Sequence, residues 1–206
     1  MSTINRKQIE RKNRRQVILD AAESIMRANG VYGLNIDLIA AETQLAKGTI
    51  YLYFKSKEEI LATIALKARN LLLQEFKRAS DTKEEPIERL KAIVTTSYRF
   101  HTENPLYNDL VSLYEANNQL VETAELQTAS NNIIHLVAGI AQEAKESGSL
   151  NPNINPLHFT ICMWGMTIGM QQMIKVRGKI FEENFNISES DILSSFIQIF
   201  ENGIKS

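Results

Sequence analysis

The residues of this chain best suited to chemistry are gathered in Lys47-Gly48-Thr49-Ile50-Tyr51-Leu52-Tyr53-Phe54-Lys55-Ser56-Lys57. Wound as a helix, the stretch separates into two faces. Ile50 and Phe54 form an inner apolar edge, with Leu45 as a plug just before it. Gly48, Thr49 and Leu52 lie opposite, with Tyr51 and Tyr53 on the shoulders. A centre of small or hydroxyl-bearing residues can approach base edges, and phenols and lysines at the margins can reach the phosphates on both walls of a major groove. The competing reading of the two tyrosines is that they pack against neighbouring helices, as half-buried phenols often do. No Gly-rich phosphate loop, nucleophile elbow or acid pair suggests catalysis, so no enzyme is expected. His101, His135 and His158 are far apart and lack ligand spacing, and Cys162 has no thiol partner. The expectation is no metal, no cofactor and no disulfide.

The charge distribution agrees. The 206-residue chain has a net charge of −1. Residues 1–58 carry ten Lys/Arg against six Asp/Glu, and the remainder thirteen against eighteen. Arg6, Lys7, Arg11, Lys12, Arg14 and Arg15 supply most of the excess, as a basic arm over about residues 1–12 and just beyond. A basic head on an acidic body suits a polyanion-binding module joined to something else, although a solvated tail would read the same way if taken alone. The hydrophobic share of 44% is that of a globular protein. Nothing approaches a transmembrane run or a secretory leader, so a soluble cytoplasmic protein is expected, without a membrane partner.

Few prolines and glycines, with abundant helix formers, predict an all-α chain of about nine helices. Val17, Ile18, Ala21, Ala22, Ile25 and Met26 repeat at helical spacing over about 11–29, before Gly30. Asn35 caps a short second helix from Ile36 to about Thr43, and the Lys47 segment follows a tight turn. These three helices make a helix-turn-helix unit. Ser56-Lys57-Glu58-Glu59 reads as a capping box opening a long fourth helix to about Ser80. Pro86, Asn104-Pro105 and Asn155-Pro156 open the fifth, sixth and eighth helices. The seventh runs from near Leu120 to Glu146, and the ninth from Ser188 to Gly203. The division predicted is a DNA-binding domain over 1–56 and a larger helical ligand-binding and dimerisation domain over 57–206.

Ala21-Ala22, Gly30, Gly33, Ile39-Ala40, Lys47-Gly48-Thr49-Ile50-Tyr51-Leu52-Tyr53-Phe54 and Ser56-Lys57-Glu58 together resemble the N-terminal signature of the TetR family of transcriptional regulators. The resemblance is dense over about 14–62 and weak beyond. It implies a homodimer on a pseudo-palindromic operator in double-stranded DNA, released by a small-molecule effector held in the C-terminal domain. It also implies that Lys47, Thr49 and Leu52 face bases or the groove floor, with Gly48 between them, and that Tyr51, Tyr53 and Lys57 hold phosphates. Asn35 and Asp37, at the start of the second helix, take DNA-facing positions. An acid at 37 repels phosphate unless it accepts from a cytosine amino group. Two departures stand out. Gln44 replaces the usual turn glycine and requires a left-handed or adjusted backbone. Ala46 replaces a Ser or Thr cap, at a cost of about 1 kcal/mol.

In the C-terminal body, Met163, Trp164, Met166 and Met170 can line an adaptable apolar pocket, although core packing plus a dimer seam is the favoured reading for most of them. Tyr98, His101, Tyr107, Tyr114 and His135 are polar-tipped groups able to orient a ligand in such a pocket. Gly165 and Gly169, with Ile192, Leu193, Phe196, Ile197 and Phe200, mark the eighth and ninth helices as the dimer seam. The expectation is a repressor released by a small, largely apolar ligand. Two alternatives stay open: a DNA-binding regulator controlled by a protein partner without any small ligand, and a small-molecule-binding helical dimer whose DNA unit has degenerated.

Overall fold

The computed structural model describes residues 3–116 and 122–204. Among these residues there are nine α-helices, one 3-10 turn and no strand. They are α1 (Thr3–Asn29), the 3-10 turn Val31–Gly33, α2 (Ile36–Thr43), α3 (Lys47–Tyr51), α4 (Lys57–Ser80), α5 (Pro86–Glu103), α6 (Pro105–Ala116), α7 (Ala124–Glu146), α8 (Pro156–Phe185) and α9 (Glu189–Ile204). None is long and apolar enough to cross a membrane. The start of α7 expected near Leu120 lies outside the described residues.

Local signals explain most of these boundaries. Gly30 stops α1 with φ 74°, a conformation that glycine adopts without a Cβ penalty. Gly33 is fixed differently: a Cβ there would sit 2.6 Å from Cβ of Asn29. Asn155 caps α8 by accepting from the backbone N–H groups of Leu157 and His158, and Pro156 takes the first helical position. At the start of α4 the Ser56 hydroxyl accepts from the Glu59 N–H at 3.3 Å. The Glu59 carboxylate reaches one residue further back than a capping box requires and accepts from the Lys55 N–H at 2.6 Å.

Two elements differ from the sequence reading. α1 begins at Thr3, so the basic run forms helix from the outset instead of a free arm. Its residues are good helix formers without Gly or Pro, and Arg6 pairs with Glu10 one turn on at 3.1 Å. α3 is only five residues long, so Tyr53 and Phe54 follow it. Their N–H groups both bond the Ile50 carbonyl, at 2.9 and 3.0 Å, which keeps Phe54 on the inner side with Ile50.

The chain packs as two compact units, Met1–Arg69 with Asn104–Gln127, and Asn70–Glu103 with Thr128–Ser206. The motif division at 56/57 is therefore not the packing division. α4 contributes its first half to the first unit, and α6 joins that unit by packing on α1 and the 3-10 turn. The first unit buries Ile18, Ala22 and Met26 of α1 with Leu34, Ile39, Ile50, Phe54, Ile60, Ile64 and Leu110. The second is built around Phe76, Leu90, Ile93, Val94, Ile140, Phe159, Met163 and Phe200. Within it the rings of Phe159 and Phe200 meet at 5.5 Å between centroids.

Gln44 closes α2 in the left-handed region, at φ 55° and ψ 31°. A side chain in that conformation costs roughly 1–2 kcal/mol, of which glycine recovers only part because it loses about 0.5–1 kcal/mol more freedom on folding. Gln44→Gly is expected to stabilise the first unit by about 0.5–1 kcal/mol, seen as a higher urea midpoint. A lower midpoint would contradict the strain assigned here.

Candidate nucleic-acid interface

The surface around α3 is assembled by short-range bonds. Asn35 Oδ1 accepts from the Leu38 N–H at 2.8 Å and starts α2. The left-handed Gln44 returns the chain so that the Leu45 N–H bonds the Ala40 carbonyl at 3.1 Å. Ala46 provides no side-chain cap, but its carbonyl accepts from Thr49 and Ile50 at 2.8 and 3.3 Å. The departures at Gln44 and Ala46 therefore leave the turn and the helix start intact.

Burial divides the segment as its residue types suggest. Ile50 is 0% and Phe54 1% exposed, whereas Leu52 is 76% and Tyr51 51% exposed. Lys47 and Gly48 are exposed, and Thr49, Tyr53 and Lys57 are half-buried. A leucine so exposed beside a small-residue centre offers an apolar contact to a thymine methyl, and the phenols and Lys57 offer phosphate donors.

Asp37 has a partner within the protein. The Lys47 ammonium pairs with its carboxylate across the α2–α3 turn. The hydrogen bond to Asp37, followed by its charge, holds the Lys47 ammonium above its ordinary pKa. The acid is thus balanced within the protein and presents no bare negative charge to a phosphate. Because the pair joins residues ten apart through a turn, helical spacing could not reveal it.

The basic run also resolves into different roles. Arg15 stacks its guanidinium 4.4 Å from the centroid of the Phe54 ring and donates to Thr63 Oγ1 at 3.2 Å, so it supports the core. Lys7, Arg11 and Arg14 instead line an open groove with Leu52 and Tyr53. Their spacing of four and three residues places these three on one helical face.

The ligand candidates do not form one set. Tyr107 and Tyr114 belong to the first unit, and the others to the second. The Tyr107 hydroxyl donates to Glu23 at 2.9 Å, and burial raises the pKa of Tyr114. In the second unit the Tyr98 hydroxyl donates to Glu189 at 2.6 Å. Burial, then Glu189, pushes its pKa up to about 12. His101 Nδ1 is buried without a hydrogen-bond partner among the described residues. His135 is exposed, and Met163 lies in the core. Trp164 and Met170 are half-buried, and Met166 is exposed.

Among the predicted seam residues, Phe200 is corrected to a core position, because Phe159 and its neighbours already cover it within the chain. Leu193, Phe196 and Ile197 pack partly against the same core, and Ile192 is half-buried. Gly165 and Gly169 are exposed, and a Cβ added at either would meet nothing within 4 Å. They lie on the same face of α8 as Ile161, Met173, Val176 and Ile180, which are 54%, 53%, 58% and 38% exposed.

Residues 18–64, from α1 into α4, match the family described as bacterial regulatory proteins, tetR family. The HTH-type transcriptional regulator UidR of Escherichia coli K12 is 25% identical over 185 residues, covering 86% of this chain and 90% of the relative. The transcriptional regulator FadR of Bacillus subtilis, solved in complex with stearoyl-CoA, superposes with a TM-score of 0.67 at 19% identity, over 92% of this chain and 98% of that one. AibR, solved with isovaleryl coenzyme A and operator DNA, gives 0.69 at 18% identity, over 90% and 97%. With the matched segment supplying the exposed α3 surface and its buried supports, the chain carries a tetR-family segment over residues 18–64 and is a DNA-binding transcriptional regulator.

Proposed function

We propose that the protein is a homodimeric repressor that leaves a pseudo-palindromic operator when a small, largely apolar ligand binds its C-terminal region, with residues 1–56 reading DNA and 57–206 serving ligand binding and dimerisation. The observation that carries the reading is an exposed recognition segment at α3, the one such segment among the described residues, together with an uncovered apolar face on α8. One such segment reads one half-site, and an isologous pair of chains supplies the second half-site about 34–36 Å away. Exposed Ile161, Met173, Val176 and Ile180, beside the open Gly165 and Gly169, provide a surface on which a second copy can pack closely. Acyl groups carried as coenzyme A thioesters are the first source of such an apolar moiety to examine, because similarly folded FadR and AibR were solved with them. His101 Nδ1, buried without a hydrogen-bond partner among the described residues, is the candidate for a polar contact to such a ligand.

Ligand and DNA then oppose each other through linkage, with a coupling of about 5–150-fold. Titrating stearoyl-CoA and isovaleryl-CoA into a protein–duplex complex, followed by fluorescence anisotropy, is expected to lower DNA affinity within that range for at least one of them. Failure of both to bind, or binding with unchanged DNA affinity, contradicts acyl-CoA control.

The roles assigned around α3 separate in the same assay. Lys57→Ala is expected to weaken binding to all duplexes alike and to lower the salt slope by about 0.9 per protomer. Leu52→Ala is expected to change the preferred sequence, with a discrimination loss of about 1–3 kcal/mol at one base pair. The reverse pattern would overturn the assignment of centre and shoulders.

A further inference from the structure

We propose that the amino half of α1 is a second DNA-contacting element, in which Lys7, Arg11 and Arg14 hold the sugar-phosphate backbone beside the base pairs met by α3. The proposal rests on the DNA-binding reading and extends it to a surface outside the α2–α3 segment.

α1 is helical from Thr3. Residues 7, 11 and 14 then share one face and span about 10 Å of helix axis. That length matches the axial rise of roughly three phosphates along one strand of duplex DNA. All three side chains are exposed, and none makes an ion pair or hydrogen bond with another described residue. The same face opens onto the groove that Leu52 and Tyr53 complete. The positive stripe therefore adjoins the end of the segment assigned to the major groove, and DNA seated against Leu52 carries its backbone past α1.

The remaining cations of the run are committed elsewhere or point away. Arg6 is paired with Glu10, Arg15 is stacked on Phe54, and Lys12 does not line the groove. Glu10 is the one acid in the groove lining, and Arg6 balances it. Arginines and a lysine without a pocket for a base edge contribute affinity and salt dependence while leaving sequence preference unchanged. The stripe thus binds the flanks of the site and does not read it.

The test uses the full chain and a duplex enriched by the wild type from a random pool, in a long form and in a form trimmed to the enriched core. K7Q/R11Q/R14Q is compared with R6Q/K12Q, since glutamine preserves helix propensity in both. The triple variant is expected to lower the slope of log K against log salt by about 2.7 per protomer and to lose the long duplex's affinity advantage. It keeps the enriched sequence, and R6Q/K12Q retains most of the slope. A triple variant with wild-type slope and affinity on the long duplex overturns the proposal, as does one with a changed sequence preference. A wild type that binds no duplex at low salt overturns the DNA-binding reading itself, which is a separate and recognisable outcome.

Discussion

Phe54→Ala is expected to destabilise the first unit by about 3–5 kcal/mol and to abolish DNA binding. The ring is 1% exposed and stands immediately after α3, on the inner side with Ile50. It also carries the Arg15 guanidinium 4.4 Å from its centroid, a contact worth about 0.5–2 kcal/mol. Removing the ring leaves a cavity beneath the recognition segment and releases an arginine from the core. Set against a typical domain stability of about 5–15 kcal/mol, the loss takes a large share of what holds α3 in place. Urea unfolding and duplex anisotropy on the same preparation check it. Phe54→Leu keeps most of the apolar volume and is expected to retain binding with a smaller loss. A Phe54→Ala protein with near-native stability and DNA affinity would show that α3 does not depend on this support.

Glu23→Ala is the second large effect, at about 2–4 kcal/mol of stability. Glu23 is 8% exposed and joins three helices of the first unit. The Lys67 ammonium of α4 lies 2.6 Å from its Oε1, and the Tyr107 hydroxyl of α6 donates to its Oε2 at 2.9 Å. Arg27 stands 3.5 Å away on α1 itself. The substitution orphans the buried Tyr107 hydroxyl, and that penalty dominates. The ammonium is about half exposed, so water recovers much of its loss. A cycle with Tyr107→Phe sharpens the test: E23A/Y107F is expected to cost less than the sum of the single changes. Strict additivity would contradict a direct hydrogen bond. Burial disfavours the Lys67 charge, but the bonds to Glu23 and Tyr107 outweigh it and raise its pKa above the ordinary 10.5. Its contribution is therefore complete at neutral pH and fades only as alkali passes that raised value.

The sequence exposed those features whose cause is local. Asn35, Pro86, Asn155-Pro156 and Gly30 each act within a turn of their own position, and the corresponding helix boundaries fall where their residue types place them. The strain at Gln44 was legible for the same reason, since only the backbone at one residue is involved. The α3 surface was legible because burial of Ile50 and Phe54 dictates what the other side exposes. The remainder depends on partners distant along the chain. Glu23 meets Lys67 and Tyr107, 44 and 84 residues away, and no helical pattern on α1 shows that this acid faces inward. Lys47 meets Asp37 through a turn whose geometry is itself a product of folding. Phe200 reads as a seam residue by periodicity alone, because an apolar face does not say whether its own core or a second copy covers it.

The central claim is that the α3 surface of this chain reads a defined DNA sequence. Selection of the 206-residue chain against a random duplex pool at low salt tests it most directly. The account predicts enrichment of an inverted repeat whose half-sites are centred about one helical turn apart, lost in a Leu52→Ala variant in favour of a different sequence. Recovery of no enriched sequence would contradict it.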